Sequence, residues 1–376
     1  MKKLKVMTIV GTRPELIRLS EIIKKADIYF EHIFVHTGQN YDARLNDIFY
    51  EDLGIRKPDY YLGVAGNNLG ETIGNIIAKS YELMQQTKPD ALLILGDTNS
   101  ALTAIAAKRL KVPIFHMEAG NRCFDENLPE ETNRRIVDHI SDINLPYTEH
   151  ARRYLIAEGL RKEHIYVTGS PMKEVILDHQ AKINKSCVLE HLNLQEKGYI
   201  VLSAHREENI DHEEHFESLM NAVNIMAETY QMPVVYSLHP RSKKFVKERN
   251  FQFHPLVKAM PPFNFTDYSA LMKHAFCVVS DSGTMPEEAA VSGFPAVCIR
   301  TSIERPESLD KGCFIIGGIT GESLLQSVDM AVRMVEKGEA GEKVSDYEVE
   351  HVSSTVIKII QSYTRIIDDK VWRKQI

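Results

Sequence analysis

The chain alternates short apolar runs with helix-length segments, and this alternation, which occurs twice, constrains the fold more than any other feature. Short runs that are apolar throughout and end in turn residues are typical of parallel strands buried on both faces. Two intervening segments, residues 71–85 and 98–110, are amphipathic. The first series of predicted strands comprises residues 6–10, 33–36, 91–96, 113–118, 143–146 and 165–168, and the second comprises residues 199–204, 234–238, 258–260, 277–280, 296–299 and 314–316.

A polar segment at residues 183–197 separates the two series and is the predicted hinge. We therefore expect an α/β protein of two Rossmann-like domains, residues 1–182 and 183–376, whose parallel sheets face a central cleft. Ligands of such sheets bind beyond the carboxyl ends of the strands. The last helices, within residues 349–367, are long enough to pack back on the first domain.

Composition narrows the class of protein. A chain of 376 residues exceeds a comfortable single hydrophobic core. The 45 Lys and Arg against 52 Asp and Glu give a net charge of −7 without a long basic run, so nucleic-acid binding is not expected. No stretch approaches the roughly 18 apolar residues of a membrane span, and no signal peptide is recognised, so we expect a cytoplasmic protein without membrane insertion. Five scattered cysteines without paired spacing favour reduced thiols and no metal site.

Polar clusters follow nearly every predicted strand of the first series. After the first strand come Gly11-Thr12-Arg13-Pro14-Glu15 and then Arg18, in which the Arg13 guanidinium suits a phosphate. The other clusters are His36-Thr37-Gly38-Gln39-Asn40, Gly96-Asp97-Thr98-Asn99, His116-Met117-Glu118-Ala119-Gly120 and the helix start Pro129-Glu130-Glu131-Thr132-Asn133-Arg134-Arg135.

Three acidic residues in these clusters also have structural interpretations. Asp97 could cap a helix that begins at Thr98. Glu118 could accept backbone hydrogen bonds at the end of its strand. Glu130 could pair with Arg134 four residues later, on a solvated helix face.

In the second series, the strand at 277–280 leads into Ser280-Asp281-Ser282-Gly283-Thr284, followed by Pro286, Glu287 and Glu288. A strand that ends in a small turn and opens a helix offers backbone N–H groups and the positive helix end to a diphosphate, with a carboxylate nearby for ribose hydroxyls. An ordinary capped helix start is the alternative. Two further strands end in His205-Arg206-Glu207-Glu208-Asn209 and His239-Pro240-Arg241.

Taken in order, these motifs resemble the non-hydrolysing UDP-N-acetylglucosamine 2-epimerases, a family with the glycosyltransferase-B (GT-B) fold. The resemblance covers about residues 7–307. Each motif alone is weak evidence for the family. The order of the motifs along the chain and the distances between them make the match specific. The motifs are GTRPE at 11–15, GDT at 96–98, EAG at 118–120, PEE with NRR at 129–135, HREEN at 205–209, SDSG at 280–283 and ERPE at 304–307.

Several positions resemble the branch of this family that forms UDP-N-acetyl-L-fucosamine from its 6-deoxy-L-talo epimer for capsule or O-antigen synthesis. The glucosamine branch typically carries Lys at the position of Arg18 and a Gly-Asn-Thr turn where this chain has Gly169-Ser170-Pro171-Met172. Residues 121–127 also depart from the usual sequence. HTGQNYD at 36–42 and SAHREENID at 203–211 look like the fucosamine branch. UDP-GlcNAc 2-epimerase is the alternative within the family.

The resemblance implies a mechanism by elimination. The C2 proton and the anomeric UDP depart to leave a glycal, and UDP adds again after reprotonation on the other face, with no redox cofactor or metal. Asp97, Glu118 and Glu130 match the family's catalytic carboxylates, without an indication of which is the base. His205 matches a catalytic histidine, acting on the leaving diphosphate or in proton transfer beside it.

The resemblance assigns UDP binding mainly to the second half of the chain, and it implies a homodimer. Ser282, Gly283 and Thr284 would hold the diphosphate, and Glu288 the ribose hydroxyls. The remaining predicted contacts are Arg13, Arg18, Arg206, His239, Tyr268 at the uracil, and Arg305. For Tyr268 the alternative is a position in the hydrophobic core. For Arg305 the alternative is a salt bridge within the loop at 304–306.

Two other classes of protein share these features. A glycosyltransferase of the same fold would need an acceptor surface and usually a membrane-facing patch, for which the segment at 16–25 is too weakly amphipathic. A nucleotide-sugar sensor would keep the binding residues but would need no general acid.

Overall fold

The computed structural model describes residues 2–38, 43–300 and 302–374, except for the side chains of residues 43–46. The chain forms two compact units, the first of Met1–Leu177 with Ser345–Ile376 and the second of Asp178–Val344. From the sequence we expect the boundary after residue 182, with the final segment assigned to the second domain and its helices able to pack back on the first domain. In the structure the first unit contains that final segment.

The first unit contains a six-stranded parallel sheet in the order β3-β2-β1-β4-β5-β6. The strand order changes direction between β1 and β4, which is the switch point of a Rossmann sheet. The strands are β1 (Lys5–Val10), β2 (Glu31–His36), β3 (Tyr60–Tyr61), β4 (Ala91–Leu95), β5 (Ile114–Met117) and β6 (Ile143–Leu145).

The second unit contains a parallel sheet with the same topology. Its order is β12-β11-β10-β7-β8-β9, with the switch point between β7 and β10. The strands are β7 (Ile200–Ser203), β8 (Val234–Ser237), β9 (Val257–Met260), β10 (Cys277–Ser280), β11 (Ala296–Cys298) and β12 (Ile315–Ile316). Two parallel six-stranded sheets with alternating helices are the GT-B fold that the sequence predicts.

Helices connect the strands in both units. Several begin as their sequences predict: the Asn68 side chain accepts a hydrogen bond from the Glu71 N–H at 2.9 Å, which caps α3, and Pro129 opens α5. The helices are α1 (Arg13–Tyr29), α2 (Ala43–Leu53), α3 (Leu69–Thr87), α4 (Thr103–Arg109), α5 (Pro129–Ile140), α6 (Glu149–Ala157), α7 (Met172–Asn184), α8 (Val188–His191), α9 (Glu207–Ile210), α10 (Glu213–Tyr230), α11 (Pro240–Glu248), α12 (Phe265–His274), α13 (Met285–Ser292), α14 (Pro306–Asp310), α15 (Gly321–Glu336) and α16 (Val352–Lys370).

Four details differ from the sequence-based prediction. Residues 165–168 form no strand, and only Ile165 makes a single bridge, to Asn144, before Gly169 turns the backbone with φ +84°. The edge strand β3 was not predicted because two residues are too short to show periodicity. A 3₁₀ turn, Asn99–Leu102, precedes α4 where one continuous helix was expected. The final segment holds one long helix rather than a pair.

Each unit is built on its own apolar core. In the first, side chains of β1, β4 and β5 pack with α3 and α4, and in the second, side chains of β7, β8 and β10 pack with α10 and α15. These cores fix the strands whose carboxyl ends carry the polar clusters. In the second unit Cys277 of β10 and Cys298 of β11 are buried, and burial raises the pKa of both thiols to about 12.

The last helix, α16, is amphipathic and packs on α1. Ile360 is fully buried, whereas Ile366 on the same helix is 39% exposed. Across residues 2–38, 43–300 and 302–374, no helix has the length and the apolar character that a membrane span requires.

Truncating the buried face of α16 should destabilise the protein. We expect Ile360→Ala to lower the free energy of unfolding by about 2–5 kcal/mol, because the lost side chain leaves a cavity. The control Ile366→Ala should change it by less than about 0.5 kcal/mol. Urea unfolding curves of the two variants provide the measurement, and equal losses would contradict this packing.

Candidate functional site

The carboxyl ends of β4 and β5 bring two of the predicted acidic residues to neighbouring positions in the first unit. The Gly96 N–H donates to the Met117 carbonyl at 2.9 Å. Gly96 has a φ of +72°, and a Cβ atom at this position would lie 3.6 Å from Glu118 Oε2. The Glu118 carboxylate therefore lies against the turn that carries Asp97.

Glu118 is buried and held by side chains. Its φ of +60° is rare for a residue other than glycine, and such strain is concentrated at functional sites. Arg18 Nη1 lies 2.5 Å from Oε2, and the Asn121 amide donates to Oε1 at 3.3 Å. Arg18, a predicted ligand contact, is thus bound to a predicted catalytic carboxylate, and Asn121 belongs to the segment that departs from the usual family sequence.

Asp97 forms an ion pair with Arg134 of α5. The Asn133 amide donates to the Asp97 carbonyl at 3.0 Å and to Asn99 Oδ1 at 3.1 Å. The residue that precedes the 3₁₀ turn is Thr98, so Asp97 is not the helix cap that was considered as its structural role. The contacts to α5 fix Asp97 at the edge of the sheet.

Glu130 lies in the first turn of α5 and is partly buried. Its neighbour Glu131 is fully buried, and its two carboxylate oxygens lie 3.3 Å from Arg134 Nη1 and 3.3 Å from Arg135 Nη2. Glu131 and Arg135 therefore form an ion pair between residues four apart on α5. The Arg134 guanidinium bridges Glu131 and Asp97.

Glu15 is a buried hub to which sequence reasoning gave no role. One oxygen accepts hydrogen bonds from the Gly11 N–H at 2.9 Å and the Thr12 hydroxyl at 2.8 Å, and the other accepts from Thr98 and Ser100. Burial raises the pKa of Glu15, and these hydrogen bonds partly oppose the shift. The hydroxyl residues Thr98 and Ser100, which follow Asp97, were the sequence signal from which a bound carboxylate could have been predicted.

A second hub, Asp138 of α5, supports the loop after Glu118. Its oxygens lie 2.9 Å from His116 Nδ1 and 2.7 Å from Arg122 Nη1, and it accepts a hydrogen bond from the Gly120 N–H at 3.1 Å. Burial disfavours its charge, but His116 and Arg122 outweigh this and hold the pKa of Asp138 below its usual range. The sequence analysis did not identify this residue.

Two other predicted features lie after β1 and β2. Arg13 stacks on Phe49 of α2, with its guanidinium carbon 5.6 Å from the ring centroid. His36 is buried and accepts a hydrogen bond from the Gly38 N–H at 3.0 Å, and burial lowers the pKa of His36 to about 4. Residues 39–42, which complete the HTGQNYD segment, lie outside the described residues.

In the second unit, the carboxyl end of β10 carries the fully buried Asp281. Its Oδ2 accepts hydrogen bonds from the backbone N–H groups of His205 at 2.8 Å and Arg206 at 2.9 Å, and from the Asn209 amide at 3.2 Å. Oδ1 lies 3.1 Å from His205 Nδ1. Burial raises the pKa of Asp281, but the imidazole and the N–H donors outweigh it and lower the value to about 2.

The predicted diphosphate turn is rich in internal hydrogen bonds. The Ser282 N–H donates to Ser280 Oγ at 3.0 Å, the Thr284 N–H donates to Ser282 Oγ at 3.3 Å, and the two hydroxyls of Ser282 and Thr284 are 2.9 Å apart. Two of the three N–H groups expected to meet an anion are thus engaged by serine oxygens.

Glu288 and Tyr268 contact residues at the carboxyl edge of this sheet. The Thr284 hydroxyl donates to Glu288 Oε2 at 3.3 Å. Tyr268, on α12, is partly buried and its hydroxyl contacts Ser203 at the end of β7. Burial raises the pKa of Tyr268 above its usual value, and the Glu288 charge adds to the shift.

Two arginines and a glutamate lie close to Gly283. A Cβ atom on Gly283 would lie 3.3 Å from Glu304 Oε2, 3.5 Å from Arg206 Nη2 and 3.9 Å from Arg300 Nη1. Arg300 Nη2 is 3.1 Å from Glu304 Oε1. Arg305, a predicted ligand contact, is buried with its Nη2 2.5 Å from Glu287 Oε1.

His239 lies next to His205 in the second unit. Its Nδ1 accepts the Arg241 N–H at 3.3 Å and caps α11, and the two imidazole centroids are 5.4 Å apart. Both histidines therefore follow neighbouring strands, β7 and β8, at one edge of the sheet.

Removing the charge of Asp281 should change how stability depends on pH. Because its pKa is lowered from 3.8 to about 2, the ionised side chain stabilises the fold above about pH 4, and this contribution is lost as the pH falls toward 2. The shift corresponds to about 2.5 kcal/mol. We expect Asp281→Asn to lower the free energy of unfolding by about that amount at pH 7.

Urea unfolding between pH 2 and pH 7 measures this effect, and the difference between Asp281→Asn and the parent should shrink below pH 4. Asp211→Asn is the control, because Asp211 is paired with Arg241 at the surface. Its loss should stay below about 1 kcal/mol. An Asp281→Asn protein as stable as the parent at pH 7 would contradict the assignment.

The chain matches one family over most of its length. The family model described as UDP-N-acetylglucosamine 2-epimerase matches residues 23–361. The solved UDP-N-acetylglucosamine 2-epimerase from Rickettsia bellii is 46% identical with a TM-score of 0.92, covering 99% of this chain and 100% of that chain. The Methanocaldococcus jannaschii UDP-GlcNAc 2-epimerase, solved in complex with UDP-GlcNAc and UDP, is 30% identical with a TM-score of 0.89, covering 96% of this chain and 100% of that chain.

A relative of different substrate also matches nearly end to end. The UDP-2,3-diacetamido-2,3-dideoxy-D-glucuronate 2-epimerase of Pseudomonas aeruginosa is 31% identical over 358 residues, which are 92% of this chain and 99% of that protein. The resemblance drawn from the motifs is confirmed at the level of the family. The chain belongs to the UDP-N-acetylglucosamine 2-epimerase family.

Proposed function

We propose that this enzyme is a UDP-sugar 2-epimerase that inverts C2 of a UDP-2-acetamido sugar by eliminating UDP to a glycal and adding it back. The observation that carries the proposal is the cluster at the carboxyl edge of the first sheet. There Glu118 is bound by Arg18, and Asp97 is bound by Arg134. Two carboxylates held by separate cations are suited to proton transfer at one carbon.

The reaction requires such an arrangement because a C2 proton is weakly acidic and must leave from one face and return on the other. One carboxylate acts as the base, another as the acid, and each must hold its position through the reaction. Asp97, Glu118 and Glu130 divide these roles in our proposal. Glu15 and Asp138 act indirectly in our proposal, because they fix the loops on either side of these carboxylates.

The second unit supplies the groups for UDP. Ser282, Gly283 and Thr284 bind the diphosphate through hydroxyl and N–H groups, and the Arg206 guanidinium near Gly283 adds positive charge. Glu288 accepts the ribose hydroxyls. Tyr268 contacts the uracil, and His205 acts on the leaving diphosphate.

Arg13, His239 and Arg305 complete the proposed substrate contacts. Arg13 and His239 carry donors at strand ends, where ligands of such sheets bind. Arg305 lies in the residues after β11 and is bound to Glu287 of α13. In our proposal it supports the turn that precedes α13 and also contacts the ligand.

For the sugar, we propose the pair of 6-deoxy-L epimers that ends in UDP-N-acetyl-L-fucosamine. Arg18 and Asn121 support this choice, because both differ from the glucosamine branch and both contact Glu118. The turn at Gly169 supports it less. A Cβ atom on Gly169 would lie 2.7 Å from Val349 Cγ2, so packing accounts for the glycine, which both versions of the turn share.

UDP-GlcNAc and UDP-ManNAc are the second candidate pair. The names of the Rickettsia bellii and Methanocaldococcus jannaschii proteins favour it. The Pseudomonas aeruginosa relative is named for a diacetamido sugar, which belongs to neither candidate pair. Membership of the family therefore does not fix the substrate.

The remaining parts of the proposal rest on the resemblance. The elimination mechanism calls on no cofactor, and we propose a cytoplasmic homodimer that contributes to capsule or O-antigen synthesis. A nucleic-acid partner is not part of the proposal, since the net charge is −7.

Substitutions of the carboxylates test the chemistry. Asp97→Asn, Glu118→Gln and Glu130→Gln keep size but remove basicity, so each should lower turnover by roughly 10²–10⁴ if it transfers a proton. In D₂O the parent enzyme should place deuterium at C2 of both sugar nucleotides. The measurements are deuterium exchange by NMR and UDP affinity by calorimetry for each variant.

Ser282→Ala and Glu288→Gln are the matched controls and should weaken UDP-sugar binding with less effect on turnover at saturation. Product without deuterium would exclude elimination. Carboxylate variants that lose affinity but exchange normally would be binding residues. Turnover only after an acceptor is added would indicate a glycosyltransferase, and tight binding without turnover would indicate a sensor.

A substrate panel decides the sugar. We expect kcat/KM for the 6-deoxy-L-talo and L-fuco nucleotides to exceed that for UDP-GlcNAc and UDP-ManNAc by roughly 10–200-fold, the discrimination that small changes in a sugar permit. Arg18→Lys should reduce this ratio, because an ammonium group cannot keep the guanidinium geometry at Glu118. A higher kcat/KM for UDP-GlcNAc in the parent enzyme would replace the fucosamine assignment with the second candidate.

A further inference from the structure

We propose that Asp281 is a positioning residue that fixes the imidazole of His205 with Nε2 directed to the substrate and stabilises its positive charge as the diphosphate departs. The inference rests on the proposed role of His205. It goes beyond that role because it assigns to Asp281 a part in the reaction, rather than only a place in the turn that binds the diphosphate.

The two oxygens of Asp281 have different partners. Oδ2 accepts the backbone N–H groups of His205 and Arg206, at 2.8 and 2.9 Å, and so fixes the main chain that carries the imidazole. Oδ1 is 3.1 Å from Nδ1 of the ring itself. One carboxylate therefore sets both the position of the residue and the orientation of its side chain.

The carboxylate has little freedom to move. The Asn209 amide donates to Asp281 Oδ2 at 3.2 Å and to the Ile299 carbonyl at 2.9 Å. Asp281 follows β10, which pairs with β7 up to Ser280 and Ser203, and the Asp281 N–H donates to the Ser203 carbonyl at 3.1 Å. Asp281 is thus fixed relative to His205 through the sheet as well as through its side chain.

Exposure distinguishes the two ring nitrogens. Asp281 is fully buried, whereas one third of the His205 side chain (33%) is exposed. Since Nδ1 faces the buried carboxylate, Nε2 on the opposite edge of the ring is the nitrogen available to a ligand. A carboxylate on one nitrogen that orients the other is a recurrent way to prepare a histidine for proton transfer.

The chemical step balances without any further reactant. The C2–H bond breaks and its proton goes to a carboxylate of the first unit, the C1=C2 double bond forms, and the C1–O bond breaks with its electron pair passing to the phosphate oxygen. His205 donates a hydrogen bond through Nε2 to that oxygen, and the proton stays on the ring. The negative charge of Asp281 stabilises the imidazolium that makes this hydrogen bond.

A double-mutant cycle of Asp281→Asn and His205→Gln tests the inference. Turnover for C2 epimerisation and the Kd for UDP are measured for the parent, both single variants and the double variant. We expect Asp281→Asn to lower kcat roughly 10–100-fold, the usual effect of removing an outer partner of a functional histidine. The Kd for UDP should change less than about threefold, because the direct UDP contacts remain.

In the His205→Gln background the same Asp281→Asn change should alter kcat by less than about threefold, because the residue through which it acts is gone. Asn209→Ala is the matched structural variant. It removes a hydrogen bond to Oδ2 and leaves the Oδ1 contact to the ring. Its kcat should stay above that of Asp281→Asn, measured below the melting temperature of both variants.

The tautomer of His205 is a readout that needs no variant of Asp281. In ¹⁵N-histidine-labelled parent enzyme, with the signal assigned by its loss in His205→Gln, the neutral ring should carry its hydrogen on Nδ1. A neutral ring with hydrogen on Nε2 would overturn the inference even if Asp281→Asn failed to fold.

The outcomes distinguish a failure of the proposed function from a failure of the roles given to His205 and Asp281. If the parent enzyme does not epimerise any substrate of the panel, the proposed function fails. If it does so and His205→Gln keeps normal kcat, the role of His205 fails. If His205→Gln loses turnover while Asp281→Asn has no effect, or has its full effect in both backgrounds, the positioning role of Asp281 is wrong and the proposed function stands.

Discussion

The site residues depend on one physical constraint, which is that a carboxylate taken out of water must be surrounded by donors. Each sheet uses this constraint at its carboxyl edge. In the first unit Glu15 collects the Gly11 N–H and three hydroxyl groups, and in the second Asp281 collects two backbone N–H groups and an imidazole. The donors come from segments that are otherwise separate, so satisfying the charge also fixes the loops that carry the functional side chains.

Glu15 and Asp281 differ in the nature of their donors, and the difference appears in their pKa values. Glu15 is surrounded mainly by neutral hydroxyls, which do not overcome burial, so its pKa is raised. Asp281 faces a histidine and backbone donors, which do overcome burial, so its pKa falls to about 2. Near the carboxyl edges of the two sheets, burial thus raises the pKa of one carboxylate, and donors lower the pKa of the other. The carboxylate with the lowered pKa is the one that faces a partner able to carry positive charge.

The fold and the types of residue at the strand ends could be predicted from the sequence, because both follow from local patterns. Short apolar runs mark buried strands whatever their partners. The partners of the polar side chains could not be predicted, since they depend on contacts distant in sequence. Arg134 reaches Asp97 across 37 positions, and Asp281 reaches His205 across 76. Asp281 stood inside a motif that was interpreted for its hydroxyls and N–H groups, so its carboxylate was overlooked.

The division of the chain has a consequence for synthesis on the ribosome. The first unit needs Ser345–Ile376, and α16 within it covers α1 near the start of the chain. The second unit, Asp178–Val344, is continuous, so all of its residues are synthesised before α16 is made. The side of α1 that α16 covers therefore stays uncovered until the last part of the chain has been synthesised, although α1 itself is made early.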